Sequence, residues 1–162
     1  MKNNSILTKK MLNIIGTQSE TNKFRIHKEN IIRFAESIQD YNPLYTNELQ
    51  ARKSSYGSLI APPTFLRSCY AGPWKKSIDL PFYTSVDGGS EWEYFEPIRD
   101  GDEINVTATI TDLYEKSGRK EQMLFQKKTI TYINQFKSLV AKEENIGIFL
   151  EKHMQNQDKN RH

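Results

Sequence analysis

The clearest pattern along the chain is a strict alternation over residues 104–111. Ile104, Val106, Ala108 and Ile110 fall on one side, and Asn105, Thr107, Thr109 and Thr111 on the other. That period of two marks an antiparallel strand with one buried and one wet face. From Tyr83 the same period groups Val86, Trp92 and Tyr94, with Glu91 and Glu93 opposite. Pro97, Gly101 and Asp102 predict the turn between these strands, and Gly88-Gly89 predict a bulge or a close backbone approach. Lys116-Ser117-Gly118-Arg119 reads as a hairpin turn, followed by strands over about 123–133 and 138–149, joined at Asn134-Gln135. The four strands read as a meander.

Upstream the period lengthens. Residues 17–26 read as a first strand ending in Phe24 and Ile26. Lys28 to Gln39 then place Ile31, Phe34, Ala35 and Ile38 on one helical face. Asp40-Tyr41-Asn42-Pro43 ends this helix, because the residue before a proline is pushed out of the helical region. A short helical turn is expected at 48–53, and Tyr56-Gly57 breaks the chain. Ile60-Ala61-Pro62-Pro63-Thr64-Phe65-Leu66 enters a second helix, with Phe65, Leu66, Cys69, Tyr70 and Ala71 as its buried set and Gly72-Pro73 as its stop. Helices and strands that do not alternate define an α+β class with an antiparallel sheet. Both ends are polar and are expected to fray. The domain is therefore placed at 14–150, with an extension over 1–13 and a disordered tail over 151–162.

Composition narrows the function classes. The 162 residues suit one domain, and 27% charged against 36% hydrophobic residues is a globular balance. The net charge is only +3 and its lysines and arginines are scattered among acids, so no nucleic-acid footprint is read. No apolar run reaches the ~18 residues of a membrane span. Cys69 is the single cysteine, and the first ten residues lack the apolar core of a secretory signal. A cytoplasmic location is expected. His27, His153 and His162 lack metal-ligand spacing, and there is no nucleophile elbow or glycine-rich phosphate loop, so no metal and no cofactor is predicted.

Three stretches carry a resemblance. Asp40-Tyr41-Asn42-Pro43-Leu44-Tyr45 resembles the Asp-x-Asn-Pro-x-His element of R-specific enoyl-CoA hydratases and MaoC-like 3-hydroxyacyl dehydratases. Tyr56-Gly57-x-x-Ile60-Ala61-Pro62-Pro63-Thr64-Phe65 resembles the entry to the central helix of that family. Gly88-Gly89-Ser90-Glu91-Trp92-Glu93-Tyr94-Phe95-x-Pro97, followed by Gly101-Asp102, resembles the sheet segment of its N-terminal-type domains. The resemblance implies a hot-dog fold, a curved antiparallel sheet wrapped around a central helix. It also implies action on 2-enoyl or 3-hydroxyacyl thioesters of CoA or acyl-carrier protein, and pairing as a homodimer or as a heterodimer with a catalytic hot-dog subunit.

In the family an Asp and a His act on one water, and a backbone N–H holds the thioester oxygen as charge builds on it. Asp40 stands at the Asp position and is the candidate catalytic residue. Tyr45 stands at the His position, and a phenol of pKa about 10 replaces poorly an imidazole near 6.5. Pro62 and Pro63 stand where a His-Gly pair would supply the donor, and proline has no N–H. Gly57 N–H and the Thr64 hydroxyl are the remaining candidates for that donor. The pattern resembles the non-catalytic halves of the family, which shape the acyl pocket of a partner. The predicted substrate-binding set is Asn42, Tyr45, Tyr56, Gly57, Pro63, Thr64, Gly88, Gly89 and Trp92.

The same residues have plainer readings. Asp40 and Asn42 suit a helix-ending turn, Tyr45 suits packing at a pocket mouth, and Trp92, Tyr94 and Phe95 suit core and interface. Three function readings follow in order: a subunit of a heteromeric hydratase/dehydratase, a stand-alone hot-dog hydratase or thioesterase using Asp40, and a non-enzymatic acyl-thioester binding protein.

Overall fold

The computed structural model describes residues 5–76, 80, 84–118 and 122–150. Tyr83, Arg119 and the tail from Glu151, with His153 and His162, lie outside the described residues. The elements are α1 (Lys9–Leu12), β1 (Asn22–Arg25), α2 (Lys28–Ser37), α3 (Pro43–Thr46), α4 (Glu48–Lys53), a 3-10 helix (Pro63–Ser68), and the long strands β2 (Thr84–Tyr94), β3 (Glu103–Ser117), β4 (Gln122–Ile133) and β5 (Leu139–Leu150).

The five strands form one antiparallel sheet in the order β1-β3-β4-β5-β2. The expected four-strand meander is thus corrected: β3, β4 and β5 follow one another, but β2 lies at the far edge, beside β5. The link from β2 to β3 explains the crossing. Ile98 is buried and its carbonyl accepts from Ala61 N at 2.8 Å, which carries the link across the end of the core. Gly101 closes the turn with φ +89°.

The alternation read in β3 is observed: Ile104, Val106, Ala108 and Ile110 are all buried. A register shift between Ile110 and Asp112 then inverts the parity, so that Leu113 is buried next. The paired glycines of β2 also behave as read, since the register with β5 shifts between Asp87 and Ser90. Gly89 has φ +113°, and a Cβ on Gly88 would lie 3.0 Å from Ile146 and Ile148. The same shift inverts the parity of β2: Val86, opposite Ile148, lies on the other face from Trp92 and Tyr94, opposite Glu143 and Ala141, so the three do not share one face as read. Val86 and Tyr94 are nearly half exposed, because β2 is an edge strand with no described neighbour on its outer side.

Helix α2 buries Ile31 and Ala35, with Phe34 partly covered. It stops at Ser37, two residues before its expected end. Gln39 takes a left-handed φ of +58°, and Ile38 turns outward. Asp100 caps the start of this helix from a distant turn, its carboxylate accepting from Lys28 N at 2.9 Å.

The second helix departs most from expectation. Instead of a helix running to Gly72 there is only the 3-10 helix, with Phe65 and Leu66 buried and Tyr70 68% exposed. Beyond Ser68 the backbone finds partners outside itself. Glu20 N donates to Pro73 O at 2.7 Å, Gly72 N to Glu20 O at 3.1 Å, and Lys75 N to Gln18 O at 3.1 Å. Residues 72–75 thus make a small ladder with residues 18–20, which satisfies the groups that a helix would have paired internally. Residues 18 and 19 make only isolated bridges, so the first strand is shorter than read.

The main core joins Ile31, Phe65, Leu66, Ile104, Val106 and Tyr132 with their neighbours. A second cluster forms around Met11, Leu113 and Leu124, with Ile6 and Leu7 against it. The opening stretch is therefore not frayed from Ser5 on. Thr8 Oγ1 accepts from Met11 N at 3.2 Å and starts α1, which seats Met11 over the sheet.

Candidate functional site

A cavity of about 280 Å³ lies between the α3–α4 region, the start of the 3-10 helix and the end of β2. Tyr45, Tyr56, Pro63, Leu66, Tyr94 and Phe95 are among the residues lining it. Of the sequence-predicted site residues it brings together three: Tyr45, Tyr56 and Pro63.

Local geometry explains how they meet. Gln39 turns the chain, and Asp40 Oδ1 accepts from Asn42 N at 3.2 Å. Asn42 Oδ1 accepts from Leu44 N at 3.0 Å, with Pro43 at the first helical position. These two side chains fix α3 and set Tyr45 on its inner side. Asp40 and Asn42 thus hold the turn positions that their plainer reading assigned, and neither lines the cavity.

Burial pushes the Tyr45 phenol above its ordinary value, and the charges of Asp40 and Tyr56 push in the same direction. Tyr45 is therefore a neutral hydroxyl at neutral pH, able to donate or accept a hydrogen bond and unsuited to take a proton from water. The backbone positions that the resemblance singles out offer no free N–H donor. Pro62 and Pro63 have no N–H, and Gly57 N already donates to Ser54 O at 3.1 Å. Thr64 is exposed and does not line the cavity.

Gly88, Gly89 and Trp92 stand elsewhere, on β2. Gly89 N donates to Asp87 Oδ1 at 3.0 Å and stabilises the bulge. Trp92 stacks on Tyr94 with centroids 5.7 Å apart and leans on Tyr132 at 5.4 Å. It is a partly buried core aromatic that reaches toward the cavity through Tyr94.

A second cavity, about 470 Å³, was not read from sequence. It lies on the inner face of the sheet, beside the segment where the expected helix gives way to extended chain. A polar network runs along its wall. Glu143 is 3% exposed and accepts from Arg67 Nη1 at 3.1 Å, Ser90 Oγ at 2.6 Å and Tyr132 Oη at 3.0 Å. Arg67 also reaches Asp87 at 3.3 Å, and Asn145 Nδ2 donates to Asp87 and Ser90, each at 3.0 Å. Burial and the Glu143 carboxylate push the Tyr132 phenol far up. Burial lowers the Lys128 ammonium, against the pull of Glu143 and Asp87. The available signal was parity: Gln126 and Lys128 fall on the same face of β4 as Leu124 and Tyr132.

A five-stranded antiparallel sheet in the order β1-β3-β4-β5-β2 with short helices packed against it defines a class, the hot-dog fold. Structural comparison agrees. A MaoC-like dehydratase from Rhodospirillum rubrum aligns with a TM-score of 0.68 at 20% identity, covering 86% of this chain and 94% of that one. A chain of the ChsH1-ChsH2 complex from Mycobacterium tuberculosis aligns with a TM-score of 0.71 at 17% identity, covering 86% and 87%. A protein of Streptomyces avermitilis bearing only the name UPF0336 protein is 32% identical over 106 residues, which is 60% of this chain and 69% of that relative. Residues 13–143 match the FAS1-like dehydratase domain region, and the chain belongs to that family.

Proposed function

We propose that this chain is the pocket-shaping half of a heteromeric hydratase/dehydratase for 2-enoyl and 3-hydroxyacyl thioesters of CoA or acyl-carrier protein. A partner hot-dog subunit supplies the Asp and His. The observation that carries this reading is the joint loss at one site: a neutral phenol at Tyr45 and two prolines where an N–H donor is needed. Hydration needs a base to take a proton from water as its oxygen attacks the β-carbon, an acid to deliver one to the α-carbon, and a donor for the thioester oxygen. Tyr45 as a neutral phenol does not supply the base, Pro62-Pro63 supply no N–H to the thioester oxygen, and Asp40 serves the turn before α3.

What the site does offer is an aromatic and apolar cavity with phenol hydroxyls at its wall, the character of a pocket that holds an acyl chain. The similarity to a chain of a two-component complex supports the pairing.

The test is hydration of a short trans-2-enoyl-CoA, followed by loss of enoyl absorbance. The purified chain alone is expected to show no turnover while folded, and turnover is expected with a hot-dog partner bearing Asp and His. Turnover by the chain alone that is lost in Asp40→Asn would overturn this reading in favour of a stand-alone enzyme.

A further inference from the structure

Among the described residues the sheet has two unpaired edges, and they differ. Strand β1 is four residues long, its charges are matched by Lys23–Glu103 at 3.5 Å and Arg25–Glu103 at 3.3 Å, and Asn22 Nδ2 reaches across to Tyr70 O. Strand β2 is eleven residues long and exposed along most of its length, with Val86 uncovered on the outer face and Tyr94 on the inner one. A long open edge of this kind is a template for a further strand.

Its charge is one-sided. Residues 84–98 hold Asp87, Glu91, Glu93 and Glu96 and no lysine or arginine. Asp87 is engaged by Arg67, and Glu96 accepts from Asn134 Nδ2. Glu91 and Glu93 sit together on the outer face, opposite Glu144 and Lys142 of β5. Lys142, opposite Glu93, feels its charge but is hydrogen-bonded to Glu144 at 2.9 Å, and Lys127 lies 3.8 Å from Glu144. Among the described residues Glu91 and Glu93 form no ion pair. Two copies of β2 in antiparallel register centred on Glu91, Trp92 or Glu93 would set acid against acid across the seam. Like charges directly opposite in a strand pair are destabilising.

We propose that the β2 edge selects a partner other than a second copy of this chain: a hot-dog subunit whose facing edge strand carries lysine or arginine against Glu91 and Glu93. This rests on the subunit reading above and adds to it what the partner's edge must look like and why self-pairing is disfavoured.

The test mixes the full-length wild-type chain with an E91K/E93K chain and measures association by sedimentation velocity, at low salt and at about 0.5 M salt, where charges are screened within a few ångströms. Circular dichroism establishes that both chains are folded, and E91Q/E93Q serves as the neutral control. The mixture is expected to associate roughly tenfold more tightly than either chain with itself, from two opposed charge pairs across the seam. That gap is expected to close at high salt, while wild-type self-association strengthens with salt or with E91Q/E93Q. A wild-type chain that dimerises as tightly as the mixture, a salt-independent mixture, or monomers throughout would each overturn the proposal. Association is read without substrate, so the two proposals fail separately. A chain that hydrates enoyl thioester alone yet shows charge-read pairing would sink the subunit reading and leave the edge selection standing.

Discussion

At the scale of single residues, the candidate site is a set of familiar positions with their chemistry exchanged. The Asp40 carboxylate accepts a backbone hydrogen bond from Asn42, and this bond helps to set the entry to α3. Asparagine keeps an acceptor at that place. Asp40→Asn is therefore expected to leave partner-dependent hydration unchanged, and Asp40→Ala to cost about 1 kcal/mol of stability, read from a urea midpoint. Tyr45→His is the sharper case. It restores an imidazole beside Asp40 but leaves Pro62 and Pro63 without an N–H. One oxyanion donor alone is worth on the order of 10²–10³ in turnover. Tyr45→His is expected to give no measurable hydration by the chain alone. Turnover in that variant would mean that the donor comes from some group other than the one the prolines replace.

At the scale of elements, sequence legibility tracks how far each signal is local. The strand at 104–111, the turn at Gly101 and the helical turn over Glu48–Lys53 are set by their own residues, and they stand where the pattern put them. The glycine pair in β2 was legible for the same reason. A Cβ at Gly88 has no room beside Ile146 and Ile148, so Gly88→Ala must push the edge strand off β5. A loss of about 1–3 kcal/mol is expected, as for other overpacked sites, measurable by thermal unfolding. The second helix was misread because its ending depends on distant residues. Gly72, Pro73 and Lys75 look like a stop and a loop in sequence, and only the arrival of Gln18 and Glu20 makes them a ladder. The place of β2 was hidden likewise, since the crossing depends on Ile98 meeting Ala61 across the chain. Of the site, Tyr45, Tyr56 and Pro63 were legible by motif, whereas the Glu143 network was not. Its members come from the 3-10 helix, β2, β4 and β5, and each of its contacts joins residues of two different elements.

At the scale of the whole molecule, that network ties the sheet together where a long helix would have filled the space. Arg67 comes from the 3-10 helix, Ser90 from the edge strand, Tyr132 from β4 and Glu143 from β5, so one buried carboxylate joins four elements. Removing the Tyr132 hydroxyl leaves Glu143 one donor short in a buried position, and Tyr132→Phe is expected to cost about 1–3 kcal/mol at neutral pH. The pH dependence follows from the sign of the shift. The folded-state phenol is raised above its unfolded value, so folding favours the protonated form. That contribution is fully present below the unfolded tyrosine value of about 10 and is lost as pH rises toward the folded one. Wild-type stability from this source should be flat between about pH 7 and 9 and should fall above about pH 10. In Tyr132→Phe the starting level is lower and the alkaline fall shallower. It does not vanish, because burial raises Tyr45 and Tyr94 as well. Urea midpoints for both chains across this range give the comparison. Parallel alkaline falls would show that the Tyr132–Glu143 contact does not hold these strands together in the folded protein.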